Sequence, residues 1–132
     1  MKILVLAGMT LAVVSLGASG AYQKKPKPPE VEVLETRAQR GEGRILVDGR
    51  VRATGEKPLR GLVVIFDLIS PENGVVASVK AILDEDTVES GQERGCQSVT
   101  SDHARAVRYK IRAFDRGERE LRVANGGPFP IE

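Results

Sequence analysis

One cysteine, one histidine, no tryptophan and five other aromatic side chains leave this sequence of 132 residues short of the usual chemical equipment. Cys96 has no partner for an internal disulfide, and with His103 it falls short of the ligand count of a closed structural zinc site. Tyr22, Phe66, Tyr109, Phe114 and Phe129 are too few and too scattered for a platform that stacks sugars or nucleobases, so the core must be mostly aliphatic. Charge of one sign is also missing. Twenty basic residues stand against 18 acidic ones, a balance that excludes general polyanion binding and leaves room only for a local site. No G-x-S-x-G nucleophile elbow occurs. Helical periodicity is absent throughout.

The one long apolar run is at the start. In MKILVLAGMTLAVVSLGASGA, Lys2 is a short positive region, Ile3 to Leu16 is apolar, and small residues follow. This pattern is that of a secretory signal peptide over residues 1–21, with Ser19 and Ala21, or Ala18 and Gly20 one residue earlier, at the cleavage positions. The run is shorter than the ~20 residues of a spanning helix, and no cysteine follows it to serve as a lipid-anchored start. The expectation is an exported chain, periplasmic or extracellular, with no stable membrane insertion after cleavage. Removing 21 residues leaves 111, one domain of ordinary size. Residues 22–30, YQKKPKPPE, combine three Lys with three Pro and read as an extended linker.

From Val31 the period is two. Ile45, Val47, Gly49, Val51 and Ala53 alternate with polar or exposed positions, as in a strand with one buried face. Leu62 to Ile69 is almost continuously apolar and suits a central strand covered on both faces. Ser70-Pro71-Glu72-Asn73-Gly74 is a hairpin turn, because Pro pre-sets φ and Asn-Gly tolerates positive φ. Val75, Ala77, Val79, Ala81 and Leu83 should then pair antiparallel with the preceding strand. Asp84 to Glu93 reads as an exposed acidic loop and Arg94 to Thr100 as a short strand. Ser101-Asp102-His103 is a turn. Val107, Tyr109, Ile111 and Ala113 alternate with Arg108, Lys110, Arg112 and Phe114 in the plainest amphipathic strand of the chain. After Arg116-Gly117-Glu118, a last strand lies around Glu120 to Val123. About seven strands at this spacing predict an all-β, antiparallel β-sandwich over residues 31–124 with a C-terminal tail at 125–132. Its core is expected from Val47, Val51, Leu62, Val64, Phe66, Leu68, Val79, Tyr109 and Ile111.

The stretch from Arg50 to Gly74 resembles the FxLYD-type domain, an immunoglobulin-like sandwich of exported prokaryotic proteins. Val47, Gly49 and Val51 match its first strand, and Lys57-Pro58-Leu59 its turn. Phe66-Asp67-Leu68 keeps Phe-x-Leu, with Ile69 and Ser70 in place of Tyr and Asp. Ser90-Gly91-Gln92-Glu93 resembles its later turn, and Cys96 stands at the position of a buried aromatic. The resemblance covers residues 44–115 and implies an immunoglobulin-like architecture. It carries no catalytic residues to transfer.

Four groups of residues offer chemistry, each with a plainer alternative. Asp84, Asp86 and Glu89 have the oxygen ligands of a calcium loop but lack the EF-hand glycine; the alternative is a solvated loop. Cys96 is either a thiol activated by Arg94 or a small buried hydrophobe. His103 with Ser98, Ser101 and Asp102 has the residue types of a triad, though neighbours in a turn do not supply its geometry. Arg108, Lys110 and Arg112 project from one strand face about 6.5–7 Å apart. They form a possible interaction face for an acidic partner, the alternative being cross-strand pairing for solubility. The reading taken forward is a module that is not an enzyme, with no catalytic, cofactor-binding or metal-ligating residues and no cofactor. It engages an envelope or extracellular protein or an anionic polymer, with no nucleic acid among its partners. A small extracytoplasmic hydrolase or metal-dependent enzyme is the competing class.

Overall fold

A computed structural model describes residues 27–132; the expected signal peptide and residues 22–26 of the linker lie outside the described residues. Ten strands follow one another: β1 (Val31–Gly41), β2 (Arg44–Ala53), β3 (Val63–Ile69), β4 (Val75–Lys80), β5 (Ile82–Leu83), β6 (Glu93–Ser101), β7 (Arg108–Phe114), β8 (Glu120–Leu121), β9 (Val123–Ala124) and β10 (Phe129–Pro130). One sheet has the order β5-β6-β2-β1-β9 and the other β10-β7-β3-β4, with β8 also on β7. Their inner faces meet in one aliphatic core.

The expected alternation is visible residue by residue. Ile45, Val47, Val51 and Ala53 are buried along β2, and Tyr109, Ile111 and Ala113 along β7. Eight of the nine expected core residues are buried; Val79 is half-buried, because β4 is the last strand of its sheet. Phe66 meets Tyr109 edge to face, with ring centroids 6.2 Å apart, the arrangement favoured by ring quadrupoles. The Ser70–Gly74 turn is in place. Asn73 adopts φ 71°, the Ser70 N–H donates to the Gly74 carbonyl at 2.8 Å, and the Ser70 Oγ accepts from the Gly74 N–H at 3.1 Å.

Four expectations change. The strands number ten rather than about seven: two runs switch sheets, Val75–Leu83 breaking at Ala81 into β4 and β5 and Glu120–Val123 dividing at Arg122 into β8 and β9, and β10 adds the tenth. The pairing is not wholly antiparallel, since β9 runs parallel to β1 at Val31 and Val123. A bulge between Val33 and Glu35 shifts the phase of β1, so Val31 and Val33 face the core before it and Ala38 after it.

The fourth change concerns the two ends of the domain. Residues 125–132 are not a tail: Phe129 pairs with Tyr109 in β10, the Ile131 N–H donates to the Val107 carbonyl, and Glu132 exchanges backbone bonds with Ala38 and Arg40. This segment bridges β7 of one sheet to β1 of the other and closes one lateral side. The linker is likewise seated at its end. The Thr54 hydroxyl donates to the Pro29 carbonyl and Arg122 Nε to the Pro28 carbonyl, while Glu30 pairs with Arg119 and Arg122.

Candidate interaction surface

The β3 segment carries one carboxylate in an apolar run, and that residue organises the outer face of its sheet. Asp67 is 2% exposed. Its oxygens accept from Arg112 Nε at 2.6 Å, Arg112 Nη2 at 3.1 Å and the Ser78 hydroxyl at 2.7 Å. A buried carboxylate is tolerated only when its lone pairs are filled in this way. Arg112 also lies over the Phe114 ring, 5.3 Å from the centroid, a cation–π contact.

Arg108 reaches across to the hairpin, donating to Asn73 Oδ1 at 2.5 Å and the Ser70 carbonyl at 3.2 Å. Lys110 is exposed, and no ion pair holds it among the described residues. The stripe is therefore three cations on one strand face, as the alternation requires, of which Arg112 and Arg108 are engaged inside the domain. This outer face of β3 is covered as expected, but by long cationic stems rather than by another layer of structure.

The two lateral sides of the molecule differ. One is closed by residues 125–132. On the other, β4 is an edge strand, with Val75 55% and Val76 37% exposed and Ser78 and Lys80 open to solvent. The Ala81 N–H donates to the Val64 carbonyl at 2.8 Å. Alternation along an antiparallel pair then directs the N–H groups of Val79 and Ala77 to β3 and those of Lys80 and Ser78 away from it. The doublet Val75-Val76, which interrupts the period of two, is the sequence signal of the irregular pairing between Leu68 and Ile69. The expectation of a regular alternating strand passed over it.

Cys96 is buried on β6 opposite Gly49, where an added Cβ would stand 3.3 Å from Sγ. Burial pushes its thiol up to about 12, with the Asp84 and Asp48 carboxylates adding to the rise. Arg94 does not activate it: its guanidinium is taken by Glu85, Gln92 and the Thr87 carbonyl. The residue types of a triad stay apart. Ser98 is buried on β6, with Oγ lacking a hydrogen-bond partner. Asp102 accepts from Arg40 Nε at 2.8 Å, and His103 contributes its carbonyl to the same guanidinium. In the acidic loop, Asp84 accepts the N–H groups of Glu85 and Gly95. Val88, within the expected exposed loop, is instead buried and exchanges backbone bonds with Leu59.

No family model matches the chain, and no curated protein matches it. Among solved structures, it is similar to Pseudomonas fluorescens alkylpurine DNA glycosylase AlkC bound to DNA containing an abasic site analog, with 18% identity and a TM-score of 0.40. The match covers 73% of this chain and 31% of the glycosylase. That neighbour is an enzyme on a nucleic acid, which runs against two expectations: that the chain is not an enzyme, and that nucleic acid is excluded as a partner. Neither is retained. Composition excludes an extended basic or aromatic platform, and it does not reach a local site built by the fold. A likeness at this level transfers neither activity nor ligand.

Proposed function

We propose that the chain is an exported module of immunoglobulin-like sandwich type that engages a partner protein of the cell envelope by adding an extended segment to the β4 edge. The observation that carries this reading is the lateral asymmetry. Exposed edges invite strand addition, and natural sheets blunt them with charge, proline or a covering segment. Here one side is covered by residues 125–132, whereas β4 presents Val75 and Val76 with a single charge at Lys80. Main-chain groups at an edge supply affinity in β-augmentation, and alternate side chains supply specificity. Such an edge has little to offer a polysaccharide, which favours the protein half of the expected partner class. The signal-peptide pattern of residues 1–21 and the FxLYD-type resemblance support export and architecture respectively.

Lys80→Pro tests the edge, because proline there removes an outward N–H without taking a bond from β3. Captured envelope proteins are compared for the unsubstituted chain, Lys80→Pro and Lys80→Ala, with equal denaturation midpoints checked first. The reading expects a partner retained by Lys80→Ala and lost by Lys80→Pro. Equal capture by both, or no capture by the unsubstituted chain, rejects it. Mass spectrometry of the exported protein should find a start near residue 22.

A further inference from the structure

Three segments far apart in sequence meet where the chain enters the fold: Pro28–Glu30, the Thr54–Arg60 loop, and the β7–β8 turn with Arg122 beyond it. They enclose a cleft of about 790 Å³, within the ~300–1,000 Å³ of small-molecule sites. Five cations line it, Lys57, Arg60, Arg116, Arg119 and Arg122, against three carboxylates, Glu30, Glu56 and Asp115. The lining thus carries an excess of two positive charges, whereas residues 27–132 as a whole hold 17 basic against 18 acidic residues, so positive charge is enriched in this cleft.

Two of the carboxylates are spent within the walls. Glu30 accepts from Arg119 at 2.9 Å and from the Arg122 backbone N–H at 3.0 Å. Asp115 caps its turn by accepting the N–H groups of Gly117 and Arg119 at 2.9 and 3.0 Å. Lys57, Arg60 and Arg116 have no carboxylate partner among the described residues. The Arg116 backbone is nonetheless held in place. Its N–H donates to the Arg60 carbonyl at 3.1 Å, and its side chain crosses Gly61, where φ is +65° and an added Cβ would stand 2.7 Å from Arg116 Cβ. Only glycine permits both that conformation and that approach. Arg116 thus enters the cleft from a fixed backbone, with its side chain exposed and without a counter-charge among the described residues; guanidinium groups recognise anions through paired N–H donors.

We infer that this cleft binds a small ligand carrying two or more adjacent anionic groups, phosphate or carboxylate, through Arg60, Arg116 and Lys57. None of these residues belongs to β4, so this site and the edge stand or fall separately. Calorimetric titration of the purified protein with inorganic tripolyphosphate, and separately with citrate, tests it at low and high salt. At least one of the two binds saturably at low salt and weakens as salt rises; the tighter one assigns the anionic group. Arg60→Gln and Arg116→Gln each weaken binding about tenfold, while Lys110→Gln, on the exposed β7 face, leaves it unchanged. Arg116 packs on Gly61, so Arg60→Gln and Lys57→Gln, both at exposed positions, carry the test if Arg116→Gln fails to fold. Binding of neither anion, or equal weakening by Lys110→Gln, overturns the inference.

Discussion

Asp67 and Cys96 show how a single position acquires its meaning from what lies across the sheet. Asp67 sits in the middle of an apolar strand because Arg112 and Ser78 fill its oxygens. Arg112→Ala would strand that buried carboxylate and should cost about 2–4 kcal/mol, somewhat less than the ~3–5 kcal/mol of a fully buried pair, since Arg112 is about one-third open to solvent. Adding Asp67→Asn should return part of the loss in a urea midpoint. A double variant no more stable than Arg112→Ala would place the cost in the lost Phe114 contact instead. Cys96 is governed by burial, which pushes its thiol up to about 12. Alkylation of the native protein at neutral pH should therefore run far slower than in denaturant. Equal rates would contradict the burial.

At the scale of elements, the strands follow from alternation, while their ends follow from sheet geometry. From Ala77 to Leu83 the run keeps a period of two and still divides at Ala81, where the chain passes from one sheet to the other. No local pattern marks that crossing. The segment Phe129–Glu132 is similar: it has two prolines' worth of strand-breaking around it, yet it staples the sheets. Phe129 packs on Tyr109 with centroids 5.5 Å apart, and three backbone bonds tie Ile131 and Glu132 to Val107, Ala38 and Arg40. Deleting these four residues removes two half-buried apolar side chains and those bonds, a loss of about 3 kcal/mol. The thermal midpoint should fall by roughly 10 °C or more. An unchanged midpoint would show a segment merely laid on the surface.

Over the whole molecule, the seated end of the linker makes stability depend on acid. Arg119 holds the Glu30 carboxyl below its ordinary 4.5, and backbone and side-chain donors around Arg119 hold Asp115 below its ordinary 3.8. A depressed native value means that the unfolded chain takes up the proton first. The stability contributed by these groups is thus complete above the unfolded values and drains away as pH falls through the native ones. Urea midpoints should hold steady from neutrality to about pH 5 and decline below it. Glu30→Gln should be less stable at neutral pH and show a shallower acid decline. An identical acid slope in that variant would assign the decline to other carboxylates.

Read alone, the sequence determined the all-β class, the inner faces of β2 and β7, most of the core and the Ser70–Gly74 turn. Each depends on side chains two residues apart or on the backbone preferences of Pro, Asn and Gly, and such information is local. Tertiary structure decided what distant residues do to one another. It brought Arg112 from β7 onto Asp67 of β3, left β4 as an uncovered edge while residues 125–132 covered the opposite side, and gathered Lys57, Arg60 and Arg116 from two loops into one cleft. Those cations never form a run along the chain. Their charge becomes a site only when folding removes the distance between them.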